Sequence, residues 1–118
     1  MIELNLPWPP SINHYYRRVG AHTLISRAGR AYRQTVVGQV RPLGLGSLLG
    51  RLQVTIHAHP PDLRRRDLDN VQKSLLDALQ HAGVYADDNQ IDVLTIHRCD
   101  PKPAGRVRVI IQETHPCS

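Results

Sequence analysis

The chain reads as an α/β (α+β) fold of one domain, residues 1–118, in which a four-stranded mixed β-sheet carries two main α-helices in the order β-α-β-α-β-β. Three observations predict this. Short runs alternate apolar and polar residues with a period of two, two longer stretches repeat at helical spacing, and a strand, helix and strand in succession usually pair in parallel. At 118 residues the chain has the size of a single domain and buries about two-thirds of its unfolded surface.

Ile2, Leu4 and Leu6 alternate with Glu3 and Asn5, a half-buried strand that stops at Pro7-Trp8-Pro9-Pro10. Residues 11–29 are polar, with aromatic residues set among cations at Asn13-His14-Tyr15-Tyr16-Arg17-Arg18, and read as a mobile surface loop. Tyr32, Val36, Val37 and Val40 then predict a helix over about 30–40, ending near Pro42. Residues 44–50, rich in Gly and Leu, form a connector or a frayed helix end. Leu52, Val54, Ile56 and Ala58 alternate with Gln53, Thr55, His57 and His59, a strand closed by Pro60-Pro61. Over 70–82, Val71, Leu75, Leu76, Leu79 and Ala82 make one apolar stripe, and Gly83 supplies the stop. Two strands follow over 91–98 and 106–112, joined by a Pro-Gly turn region.

Fifteen Lys plus Arg stand against ten Asp plus Glu, and nearly all the cations are arginine. Guanidinium groups match phosphate oxygens with planar donor forks, so the balance suits a polyanionic partner as well as simple solubility. Cys99 and Cys117 supply neither a disulfide framework nor a metal-ligand spacing, which fits a reducing, cytoplasmic setting. The N-terminus lacks the pattern of a signal peptide, and no apolar run approaches the ~20 residues needed to cross a bilayer. A Gly-rich phosphate loop and a serine nucleophile elbow are both missing, so no nucleotide cofactor is indicated.

The chemistry concentrates in Arg64-Arg65-Arg66-Asp67-Leu68-Asp69-Asn70-Val71-Gln72-Lys73. Two carboxylates two residues apart diverge on a helix, where each residue turns ~100°, but share one side if the entry to the helix is extended. Oxygen ligands of this kind suit magnesium or manganese rather than zinc. Asp69 with Gln72 equally matches a helix-capping box that needs no metal. A second acidic pair, Asp87-Asp88, opens the next strand. A helix of a dozen residues separates its ends by ~18 Å, so Asp88 joins Asp67 and Asp69 only if the turn doubles back or if a second protomer contributes it. Lys73 shares the polar helix face with Asp69, Asn70 and Asp77, which is either an ordinary ion pair or a cation for a scissile phosphate. His57 and His59 read as surface or strand-edge packing.

These residues resemble the RusA family of Holliday-junction resolvases. The likeness runs through Leu6-Pro7-Trp8-Pro9-Pro10-Ser11 with Asn13 and Tyr15-Tyr16, Ala31-Tyr32-Arg33, the Arg64 to Lys73 stretch, Asp77-Ala78-Leu79, and Ala82-Gly83-Val84-Tyr85 with Asp87-Asp88. Residues 38–50 depart from it, being richer in Gly and Leu. The resemblance implies a magnesium-dependent homodimer that binds four-way DNA junctions and nicks two strands symmetrically. By position, Asp67, Asp69 and Asp88 correspond to its metal-binding aspartates and Lys73 to a lysine needed for cleavage, while Asn70 and Arg66 match residues of the site or of DNA binding. Arg64, Arg65, Arg17 and Arg18 would then grip the backbone, with Tyr15 or Tyr16 stacking on bases exposed at the crossover. The competing readings are a non-catalytic nucleic-acid-binding module and a less selective metal-dependent nuclease.

Overall fold

Alternation of apolar residues builds the sheet, and its inward face is the core. In the computed structural model, which describes residues 1–114, β1 (Ile2–Pro7) pairs antiparallel with β6 (Arg106–Glu113). β6 pairs antiparallel with β4 (Leu52–His59), and β4 pairs in parallel with β5 (Ile91–Arg98), giving the order β1-β6-β4-β5. Leu4, Leu6, Leu52, Val54, Ile56, Ala58, Val107, Val109 and Ile111 are all buried. Against them lie α2 (Arg27–Val40), through Tyr32, Val36 and Val40, and α3 (Leu68–His81), through Val71, Leu75, Ala78 and Leu79. This is the expected mixed sheet with two main helices. Cys117 lies outside the described residues.

The expected surface loop over 11–29 is instead ordered structure. A short helix α1 (Ile12–Tyr15) leads into a two-stranded hairpin, β2 (Tyr16–Val19) and β3 (His22–Ile25), turned at Gly20 with φ +59. Tyr15, expected at the surface, is fully buried. What fixes this segment is the start of α2. The Ser26 hydroxyl accepts from the Gly29 amide at 3.0 Å and donates to the Tyr15 carbonyl, 2.9 Å away. Gly29 then passes so close to that carbonyl that a Cβ there would overlap it. The helix thus begins three residues earlier than its apolar stripe announces, because its first turn packs backbone against backbone.

α3 also begins earlier than expected, at Leu68, and ends at His81 ahead of Gly83 with φ +82. Its N-cap is Asp67, in extended conformation and with no side-chain cap bond, so the Asp69–Gln72 capping box does not form. A capping box forms instead at Asp87–Gln90, where a 3-10 turn (Asp88–Gln90) precedes β5. The side chain of buried Gln90 knots this turn to the connector: Oε1 accepts from the amides of Ala86 and Asp87, and Nε2 donates to the carbonyls of Leu48 and Gly50. The Gly/Leu connector is thereby pinned at Leu48, which also bridges to Tyr85.

Candidate active site and nucleic-acid interface

Asp67 stands exposed at the N-terminus of α3 on extended backbone (φ −89, ψ 137), and Asp69 is exposed in the first helical turn. Lys73 follows one turn later on the same face, also exposed. Asp88 belongs to the other end of the unit, yet its carboxylate comes back along the helix. The buried Tyr85 hydroxyl lies 2.8 Å from Asp88 Oδ1 and 2.7 Å from the Leu76 carbonyl. Leu76 is seven residues beyond Asp69, a distance of about 10 Å along a helix axis. The turn therefore doubles back partway. Among the described residues of one chain, no group of three His, Cys, Asp or Glu side chains lies close enough to hold a metal ion.

The charges around these acids are unevenly matched. Asp77 is paired with Arg33 at 2.7 Å, and both bond the hydroxyl of Tyr15. Asp62 takes Arg66 at 2.7 Å and Arg64 at 3.9 Å. The Arg66 bond, with the Arg64 amide, holds the Asp62 carboxyl down at about 2. Asp67, Asp69 and Asp88 have no ion-pair partner among the described residues, although three arginines directly precede the first of them. Partial burial raises the pKa of Asp88, Asp77 and Asp87 add to the rise, and the Tyr85 hydroxyl opposes it. Asp88 is thus a carboxylate short of positive charge. An all-oxygen set of unpaired carboxylates is what a hard divalent cation takes, so the donor chemistry fits magnesium.

Two grooves flank the first half of α3. One, of about 670 Å³, runs between the Trp8–Ser11 turn and the Arg65–Val71 segment, and Asp67 and Asn70 line it. The other, of about 420 Å³, places Lys73 with Asn13, Tyr16, Arg17 and Arg18. The hairpin that sequence periodicity did not show therefore carries Arg17 and Arg18 to the Lys73 side of the site. Tyr16 is half-buried edge-on against Tyr15, with ring centroids 4.8 Å apart. Burial first, and Asp77 and Asp88 with it, push its hydroxyl pKa up. Tyr15 does not reach the surface and so has no face open to a base, whereas Tyr16 lines the Lys73 groove. Arg64 and Arg65 are exposed, whereas Arg66 is half-buried, held by Asp62 and lying 5.9 Å over the Trp8 ring.

Residues 7–112 match the family described as Endodeoxyribonuclease RusA. The chain belongs to the RusA family. Among curated relatives, a protein of Enterobacteria phage HK97 named crossover junction endodeoxyribonuclease is 45% identical over 109 residues, covering 92% of this chain and 91% of that one. Relatives of the same name from Enterobacteria phage 82 and Escherichia coli are each 40% identical, covering 94% of this chain and 93% of theirs. The RusA match encloses both grooves and all four candidate catalytic residues.

Sequence reasoning missed Tyr85, Gln90 and the Tyr15–Arg33–Asp77 group, which position the site from within. Tyr85 stood in the sequence as part of the family likeness and beside a turn, and nothing in its spacing signals that its hydroxyl reaches Asp88.

Proposed function

We propose that the chain is a divalent-metal-dependent endodeoxyribonuclease that acts on branched DNA, cutting four-way junctions as a homodimer. The observation that carries the reading is that Asp67, Asp69 and Asp88 are left without cation partners among the described residues, with Asp67 lining one groove beside Arg65 and Arg66, in a chain of the RusA family. The reaction is hydrolysis of a phosphodiester. Water oxygen bonds to phosphorus, the bond from phosphorus to one ester oxygen breaks, and that oxygen leaves with a proton. Asp67, Asp69 and Asp88 would hold magnesium, with manganese a substitute, and when bound the ion supplies the Lewis acidity that ionises water near neutrality. Lys73 neutralises charge gathering on the phosphoryl oxygens, which its exposed position beside Arg17 and Arg18 allows. Arg64 and Arg65, exposed at the surface, carry the flanking backbone.

A second copy supplies what one chain lacks. β5 is an outer strand of the sheet, eight residues long, and its Val93 is 45% exposed. Such an edge invites a partner strand. Two copies meeting antiparallel along β5 about a two-fold axis bring the start of each strand, where Asp88 stands, to the end of the other. At that end Arg98 donates to the Arg66 carbonyl at 2.6 Å, one residue before Asp67. Two such sites related by a two-fold axis suit symmetric nicking of a four-way junction.

The test is a synthetic junction titrated with magnesium. Asp67→Asn is expected to keep junction binding and to lose cleavage at every magnesium concentration. Undiminished cutting by that variant would refute the assignment.

A further inference from the structure

We propose that the groove between the Trp8–Ser11 turn and the Arg65–Val71 segment is a subsite for one unpaired DNA base beside the cleaved phosphate, a proposal that rests on the nuclease reading above. The groove, about 670 Å³, has far more room than a lone ion requires. One wall is the pyrrolidine surface of Pro9 and Pro10, which offers no N–H to water and favours an apolar face. Beside it lies the Arg66 guanidinium, held by its 2.7 Å bond to Asp62 and set 5.9 Å from the centroid of the Trp8 ring. Trp8 in turn is fixed from behind: a Cβ at Gly105 would lie 2.7 Å from the Trp8 Cβ. A guanidinium plane held in this way is a stacking platform for a base.

The polar requirements of a base are met from α3. The half-buried Asn70 side chain lines the groove and makes no hydrogen bond among the described residues, where only its backbone amide and carbonyl are engaged. A carboxamide offers one acceptor and a paired donor, which is what the edge of a base presents in complement. On the rim, the His14 ring is fixed by a 2.8 Å bond between its Nδ1 and the Ser11 hydroxyl. Asp67 lines the same groove, so a base seated there neighbours the reacting phosphate. A base inside a duplex hides both faces and its pairing edge; an unpaired one offers both, and the crossover of a branched junction is where extrusion costs least.

Trp8 is the only tryptophan in the chain, so its emission reports on this groove alone. Metal-free protein is titrated with a four-way junction while Trp8 emission is recorded, and binding is followed separately by the anisotropy of a fluorophore on a distant arm. The titration is repeated with an abasic site at each position around the crossover. The subsite predicts that the junction changes Trp8 emission, and that one abasic position per cut strand abolishes the change and weakens binding by about 10-fold. A bound junction that leaves Trp8 emission unaltered, or an emission change indifferent to every abasic position, overturns the subsite while the nuclease reading stands. Absence of binding by anisotropy overturns both.

Discussion

Tyr85 illustrates how one buried atom can position a carboxylate of the proposed site. Its hydroxyl has a single proton and two acceptors within 2.8 Å, the Leu76 carbonyl and the Asp88 carboxylate. A bond to an ionised carboxylate is the stronger of the two, so the hydroxyl ties Asp88 against the helix that carries Asp69 and Lys73. Tyr85→Phe keeps the buried ring and removes the tie. Folding stability should fall by about 1 kcal/mol in urea unfolding, and the magnesium concentration for half-maximal cleavage should rise several-fold. Unchanged magnesium dependence with the same stability loss would confine Tyr85 to packing. The same scale explains why Arg66 and Arg65, adjacent in sequence, differ in role: one is held by Asp62 and Trp8, and the other is exposed.

At the scale of elements, the proposed function gives the hairpin β2–β3 a part in holding DNA. It carries Arg17 and Arg18 into the groove of Lys73, anchored to the core only at its two ends by Tyr16 and Ile25. Replacing both by alanine should lower the slope of log affinity against log salt by about two, since each lost phosphate contact removes roughly 0.9. An unchanged slope would place the DNA elsewhere. On the sheet face away from the helices, His57 of β4 stacks on His97 of β5, with ring centroids 5.0 Å apart. Burial, with His97, Arg108 and His59 adding to it, holds the His57 pKa below 6.5. The unfolded chain therefore takes up a proton at a pH where the folded one does not, and this contribution to stability, present above pH 6.5, is lost as the pH falls below it. Thermal unfolding between pH 5 and pH 8 should show that loss in the native protein and less of it in His57→Gln.

Elements with a one-sided apolar pattern were legible in the sequence: β4, β5 and β6 lie within a residue of their expected bounds, and α3 within two. The hairpin was not, because β2 and β3 pair over exposed residues and carry no alternation to read. The start of α2 was hidden for another reason, since Gly29 there serves close approach to the Tyr15 carbonyl rather than burial of a side chain. Asp67, Asp69 and Lys73 could be placed from spacing because they ride on one helix. Asp88 could not, since its return toward Leu76 depends on the Tyr85 hydroxyl, a contact that no periodicity signals.

For the whole molecule, the proposed homodimer would bring together acids that one chain holds apart. Asp67 and Asp69 sit at one end of α3, Asp88 reaches its middle, and no three acids meet within the described part of one chain. Complementation measures this directly. If both carboxylates hold the metal, Asp67→Asn and Asp88→Asn are each inactive, and mixed protomers contain one site with both changes and one with neither. Unfolding and refolding the two variants together, then adding magnesium and a labelled four-way junction, should yield a nick in one strand that neither variant produces alone. A mixture as inactive as its parents, beside a wild-type enzyme that cuts, would contradict a site shared between protomers.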